Sequence, residues 1–204
     1  MALISNGTTI FDAGSMASGF GGAMTFIKKL TASSSGTLSF VDGTSSVVLD
    51  NTYKEYLFVF NNIHPATDGV YFSFQGNAAG GSGFDETITS SVFTAFHGED
   101  GSGAELEIAA SRDQSQGTGI QNISDTIGND NDQSLSGHLR LFDPSSTTFV
   151  KHFIATTNVA HPSNFSMNSY SAGYFNTTSA IDEIQFSMNS GNIDSGTISL
   201  FGIN

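Results

Sequence analysis

Apolar residues recur at every second position along most of this chain, and no stretch carries the three-to-four spacing of an amphipathic helix. Side chains alternate between two faces only in extended backbone, so the pattern restricts the fold to half-buried β-strands. In TLSFV (37–41), Leu38 and Phe40 share a face, and SSVVL (45–49) follows an Asp42-Gly43 turn signal. GVYFSF (69–74) groups Val70, Phe72 and Phe74, and TITSSVFTAF (87–96) groups Ile88, Val92 and Phe96. AELEIAA (104–110) sets Leu106 and Ile108 against Glu105 and Glu107, while GHLRLF (137–142) sets Leu139 and Leu141 against His138 and Arg140. In TFVKHFIA (148–155), Val150, His152 and Ile154 face oppositely to Phe149, Lys151 and Phe153. Ile184, Phe186 and Met188 alternate near the end, as do Ile198 and Leu200, which reads as a closing hairpin whose last strand removes an open sheet edge.

The separators are rich in Gly, Ser, Asn and Asp, as in NAAGGSG, HGEDGSG, GNDNDQSLSG and NSGNIDSG. About nine or ten short strands with turns between them predict an all-β, antiparallel β-sandwich. The only helix-like pieces are short, ISDTIG (123–128) and SMASGF (15–20). KEYLFVFNNI (54–63) is apolar on both faces, with Tyr56, Phe58 and Phe60 on one and Leu57 and Val59 on the other. That predicts a central strand or one at a subunit contact. SGTLSF (35–40) echoes SGTISL (195–200). In a jelly-roll the first and last strands lie side by side, so the echo predicts 37–41 next to 197–201 and jelly-roll wiring.

Residues 1–23 differ: they are Gly/Ser-rich, with isolated Ile10 and Phe11. Such a segment buries little alone, so it is expected to be an extended N-terminal arm whose Ile10 and Phe11 contact a neighbouring subunit, the alternative being a linker or frayed end. Residues 24–204 form the single sandwich domain. With 204 residues in all, a chain of this size buries roughly 70% of its unfolded surface and needs no staples. It has no cysteine to supply any.

Charge narrows the partners. Nineteen acids against six Lys and Arg give −13, and the basic residues form no run beyond Lys28-Lys29. No basic stripe exists to displace phosphate counterions, so no nucleic-acid partner is expected. No apolar run approaches the ~20 residues of a membrane helix, so no membrane insertion is expected. The opening residues lack the basic and apolar regions of a secretory leader. Charged residues are only 12% of the chain, about half the usual share. The surface is therefore mostly Ser, Thr, Asn, Gln and Gly, as in shells, fibres and lectin-like domains.

Candidate chemistry is sparse. Asp130, Asp132 and Ser134 alternate in the 128–137 loop as oxygen ligands of Ca²⁺ often do. The EF-hand pattern fails there, with Leu135 and Leu141 at its glycine and glutamate positions. The reading is therefore a solvated loop with no cofactor, Ca²⁺ being the alternative. The five histidines fit no metal motif, and no nucleophile elbow or phosphate loop is present. Pairs such as Asp85-Glu86 are expected by chance among nineteen acids. The chain is not expected to be an enzyme. Phe outnumbers Tyr 18 to 5 and Trp is absent, which favours core over sugar platforms. Tyr170 and Tyr174, in a Ser/Asn-rich stretch, are the candidates for an exposed glycan contact.

The segments LISNGTT, LTASSSGTLSFVDGTSSVVLDNTYKEYLFVFNNIHPATD and GYFNTTSAIDEIQFSMNSGNIDSGTISLFGIN resemble small β-rich structural proteins of tailed bacteriophages, marine ones above all. The resemblance covers nearly the whole chain and implies a virion component; the neutral-polar surface, the Gly/Asn-rich turns and the absence of cysteine fit a subunit assembled in the host cytoplasm and released by lysis. The expectation for such a component is a homo-oligomer, a trimer or other ring, that decorates or cements the capsid through the major capsid protein. The assembly contacts expected are Ile10, Phe11, Tyr56 and Phe58. The alternative is a tail-fibre or tail-tip adhesin, partnered by tail proteins, that binds host-surface glycan. No catalytic residue is implied.

Overall fold

The computed structural model describes residues 3–12, 15–16 and 22–204, the stretches 9–12 and 15–16 by backbone alone. In chain order the strands are β1 (Leu3–Ser5), β2 (Thr8–Asp12), β3 (Ser15–Met16), β4 (Met24–Thr31), β5 (Thr37–Val41), β6 (Glu55–Pro65), β7 (Val70–Ala78), β8 (Ile88–Gly98) and β9 (Ala104–Ile108). They continue with β10 (Ser115–Gly117), β11 (Gln121–Ile127), β12 (Leu135–Phe142), β13 (Lys151–His161), β14 (Phe165–Phe175), β15 (Ile181–Met188) and β16 (Ile193–Ile203). One short 3₁₀ turn, Ala110–Arg112, follows β9.

These strands make an all-β antiparallel sandwich. A nine-stranded sheet runs β10-β8-β14-β13-β12-β6-β16-β4, with β9 also on β8, and a four-stranded sheet runs β11-β7-β15-β5. Phenylalanines from both inner faces interlock. Phe40 meets Phe58 at 5.3 Å, Phe60 meets Phe72 at 5.1 Å and Phe74 meets Phe153 at 4.9 Å between ring centroids, all edge to face. Phe186 lies at the hub, with Phe40, Phe58, Phe60, Phe72 and Phe74 all within 6.3 Å. This is the inward half of the period-two pattern, and it holds the sheets together.

Wiring departs from the expected jelly-roll. β5 lies in the small sheet and β16 in the large one, so 37–41 and 197–201 are not neighbours. Where the two echoed segments begin, Ser35 forms an isolated bridge with Ile193, and the Ala32 N–H donates to the Gly196 carbonyl at 2.9 Å. β15 and β16 likewise lie in opposite sheets and make no hairpin. β16 does not close the sheet either: it is paired on both sides, by β6 and β4, and β4 is the edge. Gly196, at φ +113°, sits at the register shift where β16 crosses β6; a Cβ there would lie 2.5 Å from the Asn62 carbonyl.

Local chemistry explains three other differences. SSVVL is no strand, because Ser45 and Ser46 hold left-handed backbone at φ 52° and 67°. The loop is instead pinned by Asp42, whose carboxylate accepts the Leu49 N–H at 2.8 Å while Val47 and Leu49 enter the core. ISDTIG is strand β11 rather than helix, with a register shift between Asn122 and Thr126. Phe149, expected in a strand, precedes β13 and is exposed. Within residues 1–23, β1, β2 and β3 pair as a small antiparallel sheet of their own, turning at Asn6-Gly7, both at positive φ.

Candidate functional site: the outward face of the large sheet

The strands of the large sheet send alternate residues away from the core, and many of these are apolar. On β8, Val92 and Thr94 are buried while Phe93 between them is exposed. Register carries the pattern sideways. Ile108 of β9 stands opposite Phe93, and Phe93 opposite Tyr170 of β14. One step along, Ala172 stands opposite Ile154 of β13, and Ile154 opposite Arg140 of β12. The same row continues through Leu57 of β6 and Phe201 of β16 to Phe26 of β4. A largely apolar band therefore crosses the sheet, interrupted on β12 by Arg140. Phe93, Tyr170, Ile154 and Phe26 on it are exposed, and Leu57 and Phe201 half-buried. Contiguous apolar surface of this kind on a folded chain marks an interaction site.

Aromatic pairs stiffen the band. Phe93 and Tyr170 stack with centroids 4.8 Å apart and planes 11° apart. Phe26 meets Phe201 edge-on at 5.6 Å, and His152 meets Tyr174 at 5.8 Å. A shallow depression of about 220 Å³ lies beside the stacked pair, lined also by Ser91, Ile154 and Thr156. Charge on this face is sparse, and Lys29 of β4, opposite Ser199, stands beside the band. Arg140 pairs with Glu55, and partial burial, with Arg140 beside it, holds His138 below the usual imidazole range and therefore uncharged at neutral pH.

The opposite exterior, on the small sheet, is polar and closed by the chain's own hydrogen bonds. Gln75 donates to the carbonyls of Glu86, Thr118 and Gly119 at 3.1, 3.2 and 2.8 Å. The Ser73 hydroxyl donates to Asn122 at 2.7 Å, and Gln185 to Ser39 at 3.0 Å. Between the sheets beneath β8, Arg112 makes a buried ion pair with Asp125 at 3.0 Å and donates to the Ser124 carbonyl at 3.0 Å.

The residues expected from sequence fall as follows. Tyr56 and Phe58 are fully enclosed in the core, with the Tyr56 hydroxyl donating to the Asp50 carbonyl at 2.9 Å. They present no surface for assembly; the outward residues of β6 are Leu57 and Val59. Ile10 and Phe11 belong to β2, and their side chains lie outside the described residues. Tyr170 and Tyr174 stand on the outward face of β14, two pleats apart. Asp130, Asp132 and Ser134 share a loop closed on itself: the Gln133 N–H donates to the Asp130 carbonyl at 2.8 Å, and the Asp130 N–H to the Gln133 side chain at 3.1 Å. No three His, Asp or Glu side chains converge as a metal site among the described residues. Asp85-Glu86 is not a carboxylate pair across a cleft, since Glu86 accepts the Ala78 N–H at 3.0 Å. Phe93, Ile154 and Phe201 were not singled out by sequence. Their signal is an apolar residue on the polar side of an alternating strand.

The fold and this face define a class: an antiparallel β-sandwich with one self-contained exterior and one apolar exterior. A scan of protein-family models, a search of curated proteins and a search of solved structures each find nothing that matches the chain.

Proposed function

We propose that this chain is a structural subunit of a bacteriophage particle, seated on the capsid shell by the outward face of its large sheet. The observation that carries the reading is the apolar band from Ile108 to Phe26, in which Arg140 is paired with Glu55, on a chain whose net charge is −13. Burying such a band against an apolar patch of the shell protein gains about 25 cal/mol per Å². The resemblance to phage structural proteins supplies the setting, and the acidic, neutral-polar remainder of the surface keeps the free subunit soluble before assembly.

The stacked Phe93–Tyr170 pair beside a shallow depression favours a second reading, a tail adhesin that lays a sugar ring on the aromatic face. Copy number separates the two. Quantitative mass spectrometry of purified particles, scaled to the major capsid protein, should give near-stoichiometric copies for a decoration protein. A few to a few dozen copies would move the chain to the tail or a vertex and favour the adhesin. Absence from purified particles would overturn both.

A further inference from the structure

Both ends of the large sheet are open. Among the described residues β4 pairs only with β16, and β9 only with β8. Open strand edges ordinarily invite pairing with another chain. The two edges differ in charge. β9 reads Ala-Glu-Leu-Glu-Ile and carries Glu105 and Glu107; β4 carries Lys28 and Lys29, the only adjacent basic pair in the chain. Each also exposes apolar side chains: Leu106 69% and Ile108 75% on β9, Met24 52% and Phe26 57% on β4.

We propose that copies of this chain join head to tail, β9 of one copy pairing antiparallel with β4 of the next. Direction permits it. From β9 through β8, β14, β13, β12, β6 and β16 to β4 there are eight strands, each antiparallel to its neighbour. An even count makes β9 and β4 run oppositely, so two copies set side by side in one orientation continue the antiparallel sheet.

Facing agrees as well. Leu106 and Ile108 stand opposite Ala95 and Phe93, which places them on the outward face; Met24 and Phe26 stand opposite Ile203 and Phe201 on that same face. Glu105 and Glu107 project to the other side, as does Lys28 opposite the buried Leu200. Across the joint, apolar residues meet apolar residues outside, with Lys29 beside them; inside, carboxylates meet the Lys28 ammonium, which within its own chain donates to the Ser45 carbonyl at 3.0 Å. The apolar ends of the band, Ile108 of one copy and Phe26 of the next, then meet at the joint.

The alternatives are weaker. Pairing β9 with a second β9 sets Glu105 and Glu107 against their own kind, and pairing β4 with β4 does the same with lysines; like charges across a pair destabilise it. A heterologous joint yields a ring if the rotation closes and a filament if it does not. The proposal deepens the structural-subunit reading and rests on it only for the premise that the chain acts as an assembly. Its test needs no particle.

The test is charge reversal on the purified full chain, read by analytical ultracentrifugation across a concentration series in physiological salt, where screening confines the −13 repulsion to about 8 Å. The wild type should self-associate. Glu105→Lys with Glu107→Lys should raise the association midpoint roughly tenfold or more, and Lys28→Glu with Lys29→Glu should do the same. All four changes in one chain exchange the signs of both edges and should restore association as the same discrete species the wild type forms, which the polydisperse aggregates of a misfolded chain do not reproduce. Mixing the two half-reversed chains should also restore it, in alternating oligomers. A wild type that stays monomeric, half-reversals without effect, or a fourfold variant that fails to recover would each overturn the proposal. A joint that holds while particles lack the chain would overturn the particle reading alone.

Discussion

The two exteriors of this sandwich are built from strands of the same kind and end in opposite states. On the small sheet, Ser73, Gln75 and Gln185 find partners within the chain: Asn122, three loop carbonyls and Ser39. On the large sheet, Phe93 and Tyr170 stack on each other, Phe26 meets Phe201, and with Ile154 they remain exposed to solvent. A polar outward position can be satisfied locally, by a loop or a neighbouring strand. An apolar one can be satisfied only by cover. The contrast teaches where the chain is complete and where it needs something else.

The largest expected effect comes from removing the support shared by both faces. Phe186→Ala empties the hub between five other phenylalanines. It should cost about 3–5 kcal/mol in denaturant unfolding and degrade both exteriors together. Arg112→Ala leaves the Asp125 carboxylate buried without its partner at 3.0 Å, which should cost a similar ~3–5 kcal/mol. Arg112→Met with Asp125→Leu should recover most of that loss in the same unfolding assay, because a buried pair replaced as a whole is often neutral.

Changes on the faces themselves should separate stability from assembly. Phe93→Glu with Tyr170→Glu breaks the stacked pair on the large sheet and should shift unfolding by only ~1 kcal/mol, yet abolish incorporation into particles. Gln185→Ala on the small sheet removes its hydrogen bond to Ser39 and should cost ~1 kcal/mol while leaving incorporation unchanged. Equal loss of incorporation in both variants would erase the contrast.

The smallest effect concerns acid. Burial and Arg140 depress His138 in the folded chain. Unfolding returns it to the ordinary range, so the unfolded chain takes up the proton first as pH falls below about 6.5. Its contribution is complete above that value and declines as pH drops toward the depressed folded one. His138→Gln should therefore show a shallower fall in melting temperature between pH 7 and 5 than the wild type.

Much of the fold was legible because strand alternation is a local signal. Leu38 and Phe40, Phe72 and Phe74, and Leu139 and Leu141 all turn inward as their spacing requires. β14 was harder, since its inward residues include Ser169 and Ser171, both buried without a hydroxyl partner; small polar residues there leave no apolar period to read. The double-faced character of 54–63 was visible, but its solvent-facing half proved to be Leu57 and Val59 rather than Tyr56 and Phe58. The band as a whole was not legible. It depends on the register of seven strand pairs and on which sheet each strand joins, neither of which period two encodes. Nor was it visible that β16 would lie inside the sheet and leave β4 as the edge.

The most direct measurement is hydroxyl-radical footprinting of the chain, free and within purified particles, read residue by residue by mass spectrometry. Phe93, Tyr170 and Tyr174 on the large sheet should lose labelling in particles, while Tyr71 on the small sheet keeps it. Protection of Tyr71 with undiminished labelling of Phe93 and Tyr170 would contradict seating by the large sheet.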